Sequence, residues 1–336
     1  MQTTSELTFS FIVPVYNRPD EMAELLESLA GQQDPNFEVV IVEDGSEIPA
    51  QSVYKQYKDK LNIAYFAIPN SGPGLARNFG MKQAKGNYFI ILDSDVIVPP
   101  HYLKFVRHTL RREYTDAYGG PDAAHPAFSP IQKAISFAMT SILTTGGIRG
   151  ASEKAGKFYP RSFNMGLSKE VFKKTGGFSA MRFGEDIDLS IRIMQNGFNT
   201  RLFSEAFVYH KRRNNLVSFF KQVFNSGIAR INLYVLHKKS LKPAHFFPAI
   251  FTLGLLLGII LLILGYVYIF ILYVLYALVV FLEAFRKEKN VKLAAFSVFS
   301  SFVMLIGYGL GFMFSIWKRL IMQRPVFEAF SQNFYD

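Results

Sequence analysis

The 336-residue chain contains no cysteine. A disulfide framework and a thiolate metal site are therefore excluded, and the composition fits a reducing compartment. Tryptophan occurs once, as Trp317. Residues 1–7 lack the basic start and apolar core of a signal peptide. Charged side chains are missing from two long stretches, residues 246–282 and 293–317. Acids are missing from residues 216–242. The remainder divides unevenly. Residues 1–215 read as one ordinary globular domain, and the length leaves room for a second region after it.

The formal net charge is +11. A basic balance suits nucleic acid or an anionic membrane surface. The uncharged stretches favour the membrane, so a nucleic acid partner is not expected. A bilayer span needs about 20 apolar residues. The spacing predicts a membrane region over residues 243–318, with helices near 246–264, 266–284 and 293–317, and a short tail over 319–336. Two spans return the basic loop at Arg286–Lys292 to the side they started from, as the distribution of positive charge requires. A third span carries Lys318, Arg319 and Arg324 across. Either the third segment is re-entrant near Gly307–Gly311, or the first stretch is not two full spans. Ahead of these, Val217, Phe220, Val223, Phe224, Ile228, Ile231 and Val235 follow helical spacing among basic residues. Residues 216–242 thus predict a basic amphipathic helix on the bilayer surface. The alternative is a helix packed on the soluble domain.

Within residues 1–215, apolar runs at 9–15, 37–42, 63–67 and 87–93 read as strands. Helical spacing follows at Met22, Leu25, Leu26 and Leu29, with Pro19 at the first helical position, and again over 75–84. Strands alternating with helices at this interval predict βαβ units and a mainly parallel sheet with helices on it. Further helices are expected over 99–112 and 169–175, and from 185 to about 196. Further strands are expected at 117–120, 163–168 and 206–209. Residues 130–143 are apolar and roughly amphipathic, and 144–150 is Gly-rich. This pair is either a plain surface helix and loop or a flap facing an acceptor or the membrane.

Two strands end in acids, Glu43-Asp44 and Asp93-Ser94-Asp95. In an open α/β sheet such tips lie at the edge where ligands bind. Side chains at i and i+2 of an extended chain point to one side. Asp93 and Asp95 can thus converge on a hard cation, Mg²⁺ or Mn²⁺, which shares its remaining sites with substrate phosphates. A plain Asp-rich turn is the alternative reading.

The order of motifs resembles the family-2 glycosyltransferases, nucleotide-sugar enzymes of the GT-A fold. The matching pieces are Ile12-Val13-Pro14-Val15-Tyr16-Asn17, Val42-Glu43-Asp44-Gly45-Ser46, Gly74-Leu75-Ala76-Arg77-Asn78, Leu92-Asp93-Ser94-Asp95, Asn164-Met165-Gly166 and Gly184-Glu185-Asp186. They cover residues 8–215, and their joint order is more specific than any one piece. The resemblance implies a Rossmann-like α/β domain with a mixed, mainly parallel sheet and helices on both faces. It implies that Pro14, Tyr16, Asp44, Arg77 and Asp93 hold the nucleotide. It implies that Asp95, with Asp93, holds the metal, and that His210 sits where some relatives offer a third ligand. The Glu185-Asp186 pair then supplies the general base, with Asp186 at the position of the base itself.

These residue types suit the chemistry. A sugar nucleotide reacts by loss of a diphosphate through an oxocarbenium-like centre. A metal offsets the charge on the leaving group. One carboxylate on the far face takes the acceptor proton, which gives inversion. The Gln-x-x-Arg-Trp motif of processive members is missing. The basic helix and apolar tail look more like membrane-anchored bacterial transferases of surface polysaccharides, which extend lipid-linked glycans or load a polyprenyl phosphate. The expected donor is a nucleotide sugar, with uridine diphosphate the family's common case. The expected acceptor is a lipid-linked glycan. The expected location is the inner (cytoplasmic) membrane, multi-pass, with the catalytic domain cytoplasmic. The alternatives are a polyprenyl-phosphate sugar transferase and a membrane protein that binds nucleotide or glycan without catalysis.

Overall fold

The structure is a computed structural model that describes residues 6–145 and 158–325. Its described residues divide into two units, one made of 6–123 and 158–210, the other of 124–145 and 211–325. Of the domain expected over 1–215, residues 124–145 and 211–215 fall in the second unit. The Gly-rich stretch beyond Thr145 and the tail beyond Pro325 lie outside the described residues.

The first unit opens with β1 (Phe9–Val15), α1 (Pro19–Ala30), β2 (Phe37–Asp44), α2 (Gln51–Tyr57), β3 (Ile63–Ile68), α3 (Pro73–Gln83) and β4 (Tyr88–Leu92). The short β5 (Val96–Ile97), α4 (Tyr102–Arg112), β6 (Ala117–Gly119) and β7 (Asp122–Ala123) follow. Next come α5 (Pro130–Thr140) and α6 (Ile142–Thr145), which belong to the second unit. The first unit closes with β8 (Asn164–Ser168), α7 (Lys169–Thr175), α8 (Glu185–Gln195), β9 (Thr200–Leu202) and β10 (Val208–His210).

Seven strands form one sheet in the order β3-β2-β1-β4-β8-β6-β9. β1 to β4 are parallel, and β8 runs antiparallel to β4 and β6. All seven residues of β1 are buried, as a central strand covered on both faces requires. Alternation decides the faces. Phe11 and Val13 pack with Leu25, Leu26, Tyr102 and Val106 from α1 and α4. Ile12 packs with Met81, Leu189 and Ile193 from α3 and α8. The mixed, mainly parallel sheet with helices on both faces is thus present.

Two boundaries bear on function. β2 continues through Glu43 and Asp44, so both acids are strand residues. The last strand is 208–210 and not 206–209, which brings His210 into the ladder. It joins a second sheet, β5-β10-β7, too short to carry a periodic signal. In that sheet His210 pairs with Val96, the neighbour of Asp95.

The second unit continues with α9 (Leu216–Leu236), α10 (Phe247–Ile263), α11 (Tyr268–Glu288) and α12 (Val291–Ser315). Three helical stretches, Pro243–Ile263, Tyr268–Glu288 and Val291–Ile321, are long and apolar enough to cross a membrane. α12 is unbroken through Gly307–Gly311, so those glycines do not mark a re-entrant break. They admit neighbours instead: a Cβ on Gly311 would lie 2.0 Å from the Phe224 carbonyl oxygen, and one on Gly309 2.4 Å from that of Pro248.

Candidate active site

The site begins where β4 ends. Asp93 and Asp95 follow its last residue, and the β5–β10 register carries His210 to them across the second sheet. His210 Nε2 lies 3.2 Å from Asp95 Oδ1. One ligand atom from each of Asp93, Asp95 and His210 can be chosen so that all lie within 4.8 Å of one another. Asp95 Oδ1 is buried. Two carboxylates and one imidazole facing a common point form a donor set that a divalent cation fits. Behind the imidazole, Asp122 Oδ2 stands 3.8 Å from Nδ1, and Phe163 stacks on the ring at 5.0 Å. A carboxylate behind a ligating histidine orients the ring.

Cations hold the acids in place. Arg18 Nη1 donates to Asp95 Oδ2 at 2.8 Å and lies 3.2 Å from Glu21. Burial alone would push the Asp95 carboxyl up, but His210 and Arg18 together hold it well below the usual carboxylate range. Arg77, 4% exposed, donates to Asp93 Oδ1 at 2.6 Å and to Glu185 Oε1 at 3.1 Å. It thereby ties the β4 tip to the start of α8. Burial, with Asp186 adjacent, pushes the Glu185 carboxyl up to about 7 despite Arg77.

Glu185 and Asp186 part company at the helix start, which Gly184 enters with φ 88°. Glu185 faces Arg77. Asp186 Oδ2 accepts from Arg161 Nε at 2.7 Å, and its Oδ1 accepts the Ile187 N–H. The acids of β2 divide as well. Asp44, fully buried, accepts from the Ser71 and Gly72 N–H groups at 2.7 and 2.9 Å and from the Ser71 hydroxyl. Glu43 accepts from Tyr65, from the Ala50 N–H and from Ser46. Pro14 is buried opposite Val42, and Tyr16 leaves β1 half-buried at the same edge. Beside it, Asn17 turns with φ 53°, its side chain accepting from the Ile48 N–H.

Asp93, Asp95 and His210 come together, with Arg77 and Glu185 joined to them. Asp44 and Arg77 are engaged with the chain itself. Asn78 and Asn164, from two matching pieces, are pins. Asn78 brackets Phe178 through both its N–H and its carbonyl, and Asn164 joins Tyr102 to the Ala206 carbonyl. Arg18, Asp122 and Arg161 escaped the sequence reading. Arg18 stands in the turn after β1 and could have been found there. Asp122 and Arg161 carry no local signal.

The model of "Glycosyl transferase family 2" matches residues 10–182, just over half the chain. An uncharacterized glycosyltransferase of Rickettsia bellii is 27% identical over 273 residues, 76% of this chain and 36% of the relative. The poly(ribitol-phosphate) beta-N-acetylglucosaminyltransferase TarS of Staphylococcus aureus is 36% identical over 114 residues, 33% of this chain and 20% of its own length. The chain thus spans about a third or less of these curated relatives. In structure, TarS 1–349 in complex with UDP-GlcNAc aligns with a TM-score of 0.50 at 23% identity, covering 67% of each chain. The mannosyltransferase PcManGT of Pyrobaculum calidifontis, in complex with GDP-Man and Mn²⁺, aligns with a TM-score of 0.60 at 14% identity, over 94% of this chain and 88% of that one. These structural likenesses carry the fold, which is GT-A. With the family model matched over more than half of the chain, from β1 through α7, the chain belongs to glycosyl transferase family 2.

Proposed function

We propose that the chain is a membrane-anchored, inverting glycosyltransferase that moves a sugar from a nucleotide sugar to a lipid-linked glycan. The observation that carries this reading is the Asp93–Asp95–His210 cluster at the sheet edge, tied through Arg77 to Glu185 beside Asp186. Asp95, Asp93 and His210 would hold Mg²⁺ or Mn²⁺, and the nitrogen donor favours Mn²⁺. A cation bound there offsets charge on the departing diphosphate. Pro14, Tyr16 and Asp44 frame the place of the nucleotide base, and Asp44 shapes it through the Ser71–Gly72 backbone. Arg77 holds Asp93 and Glu185 in register. Asp186 takes the acceptor proton as the acceptor oxygen bonds to the anomeric carbon and the bond to the diphosphate breaks on the opposite face. That geometry inverts the centre. Arg161, half-exposed, holds the Asp186 carboxylate until the acceptor hydroxyl arrives.

Uridine diphosphate is the nucleotide we infer, in keeping with the UDP-GlcNAc bound by TarS. The apolar helices support anchoring in a membrane, and we infer the inner (cytoplasmic) membrane with the catalytic domain cytoplasmic, where nucleotide sugars are made. The test is a donor screen on detergent-solubilised protein with total lipid extract, reading nucleoside diphosphate release with Mn²⁺, Mg²⁺ or chelator. Release from one donor that needs both metal and lipid is expected. Metal-independent release, or no nucleotide binding at all, would overturn the assignment of the aspartates. Analysis of the labelled lipid then separates a glycosidic bond from an acid-labile phosphodiester.

A further inference from the structure

The hydropathy of α12 reads as a span, yet its surroundings are those of a core helix. α9 runs along its second half in the same direction. Gly307 faces Phe220 and Val223, Gly311 faces Phe224, and the Ser315 hydroxyl donates to the Ile228 carbonyl at 3.3 Å. A Cβ on Gly227 would lie 2.3 Å from the Tyr308 carbonyl oxygen. α5 covers the rest. Phe137 clusters with Ala294 and Val298, and Ile135, Ala138 and Met139 cluster with Val303 and Met304. Neither partner suits hydrocarbon. α9 carries Lys221, Gln222, Asn225, Arg230 and Asn232, and α5 is 11 residues long with Gln132 and Lys133. Polar and charged groups are costly in hydrocarbon, and 11 helical residues reach only about 17 Å. Wherever α5 and α9 lie, α12 lies at the same level.

The direction of α12 points the same way. α10 and α11 form an antiparallel hairpin, with Gly258 beside Ile269 and Gly254 beside Tyr273. A third helix standing alongside such a pair runs with one member and against the other. α12 runs against both. On α11, Tyr276 meets Phe302, while Val280 and Ala284 cluster with Ala294 and Val298. On α10, Phe251 meets Phe302, Gly309 abuts Pro248, and Phe246 meets Phe312. This pattern requires α12 to lie across the base of the hairpin. The hairpin beyond that base is bare, with Leu256, Ile260, Ile263 and Leu272 all exposed. The apolar window of α12 is 44% buried, against 17% and 11% for the hairpin helices.

We propose that, among the described residues, the α10–α11 hairpin alone enters the hydrocarbon, and that α12 lies along the membrane surface with α5 and α9. Arg286–Lys292 and Lys318–Arg324 then emerge on one face of the bilayer. The apolarity of α12 serves in part the helices that close on it, while Phe299, Leu310 and Phe314 stay exposed as an apolar face. The conflict between a third span and the distribution of positive charge disappears. Small residues, Ala294, Ser297, Ser301, Gly307 and Gly311, line α12 because several helices close on it.

This rests on the membrane anchoring proposed above, and the test separates the two. The cysteine-free chain accepts single cysteines at Glu288 and at Gln323, both exposed. Each variant is reacted with a membrane-impermeant maleimide in sealed vesicles, before and after detergent. Both cysteines should behave alike, either both reacting or both waiting for detergent. One reacting while the other needs detergent would overturn the proposal. A second pair, at Lys292 and Met322, repeats the comparison if either first variant fails to accumulate. A carbonate wash comes first. Release of the whole chain into the wash would overturn the anchoring itself, and with it the proposal.

Discussion

The two units bury opposite things. In the first, the functional edge buries charge. Arg77 sits between Asp93 and Glu185, Asp95 sits between Arg18 and His210, and Asp186 is gripped by Arg161. In the second, Ser297, Ser300, Ser301 and Ser315 are fully buried while Ile250, Leu256, Ile263 and Leu272 are exposed. The difference teaches what selects each interior. An aqueous domain buries a charge only when it is paired, because desolvation is otherwise too costly. Where helices approach as closely as α9 and α12 do, the contacts select for small size instead.

The sharpest way to break this comparison is at the proposed base. Asp186→Asn should lower turnover by about 10³-fold, the scale of a lost general base, with nucleotide binding retained. Calorimetry beside a turnover assay checks it, and loss of binding would move Asp186 out of that role. Asp95→Ala should weaken metal-dependent nucleotide binding by about 10- to 100-fold. Titrations with Mn²⁺ and with chelator should differ for the native chain and coincide for the variant.

The second unit is tested by size and not by charge. Gly311→Leu places atoms where the Phe224 carbonyl already stands, and should cost roughly 1–3 kcal/mol of packing. The unfolding midpoint in detergent should fall while nucleotide affinity holds. A variant as stable as the native chain would show that the α9–α12 approach is loose. The charged edge also predicts a pH dependence. The Glu185 carboxyl is raised from 4.5 to about 7 in the folded chain. Its contribution to stability is therefore present below about 4.5 and lost as pH rises through 7. Glu185→Gln should flatten that fall and leave the chain more stable than the native one above pH 7. Parallel thermal melts from pH 4 to 8 would reveal it.

Much of the first unit was legible because its signals are local. The runs at 9–15, 37–42 and 87–93 are continuous and apolar, as buried parallel strands require, and Met22, Leu25, Leu26 and Leu29 mark one helix face. Asp93 and Asp95 advertise themselves by spacing on an extended chain. The resemblance named His210, but its place beside Asp95 depends on a pairing of β10 with β5 that spans more than a hundred residues. Asp122 and Arg161 are ordinary polar residues until the fold sets them behind His210 and Asp186. Residues 130–143 were amphipathic in either of their readings. Nothing local said that their apolar face meets α11 and α12.

By itself, then, the sequence determined the alternating α/β plan, the acidic strand tips and the presence of long uncharged helices, since each follows from periodicity or composition within a short window. Tertiary structure alone decided which charges meet and where α12 lies. Hydropathy records that a helix avoids water, and a bilayer and a sheath of neighbouring helices satisfy that demand equally well.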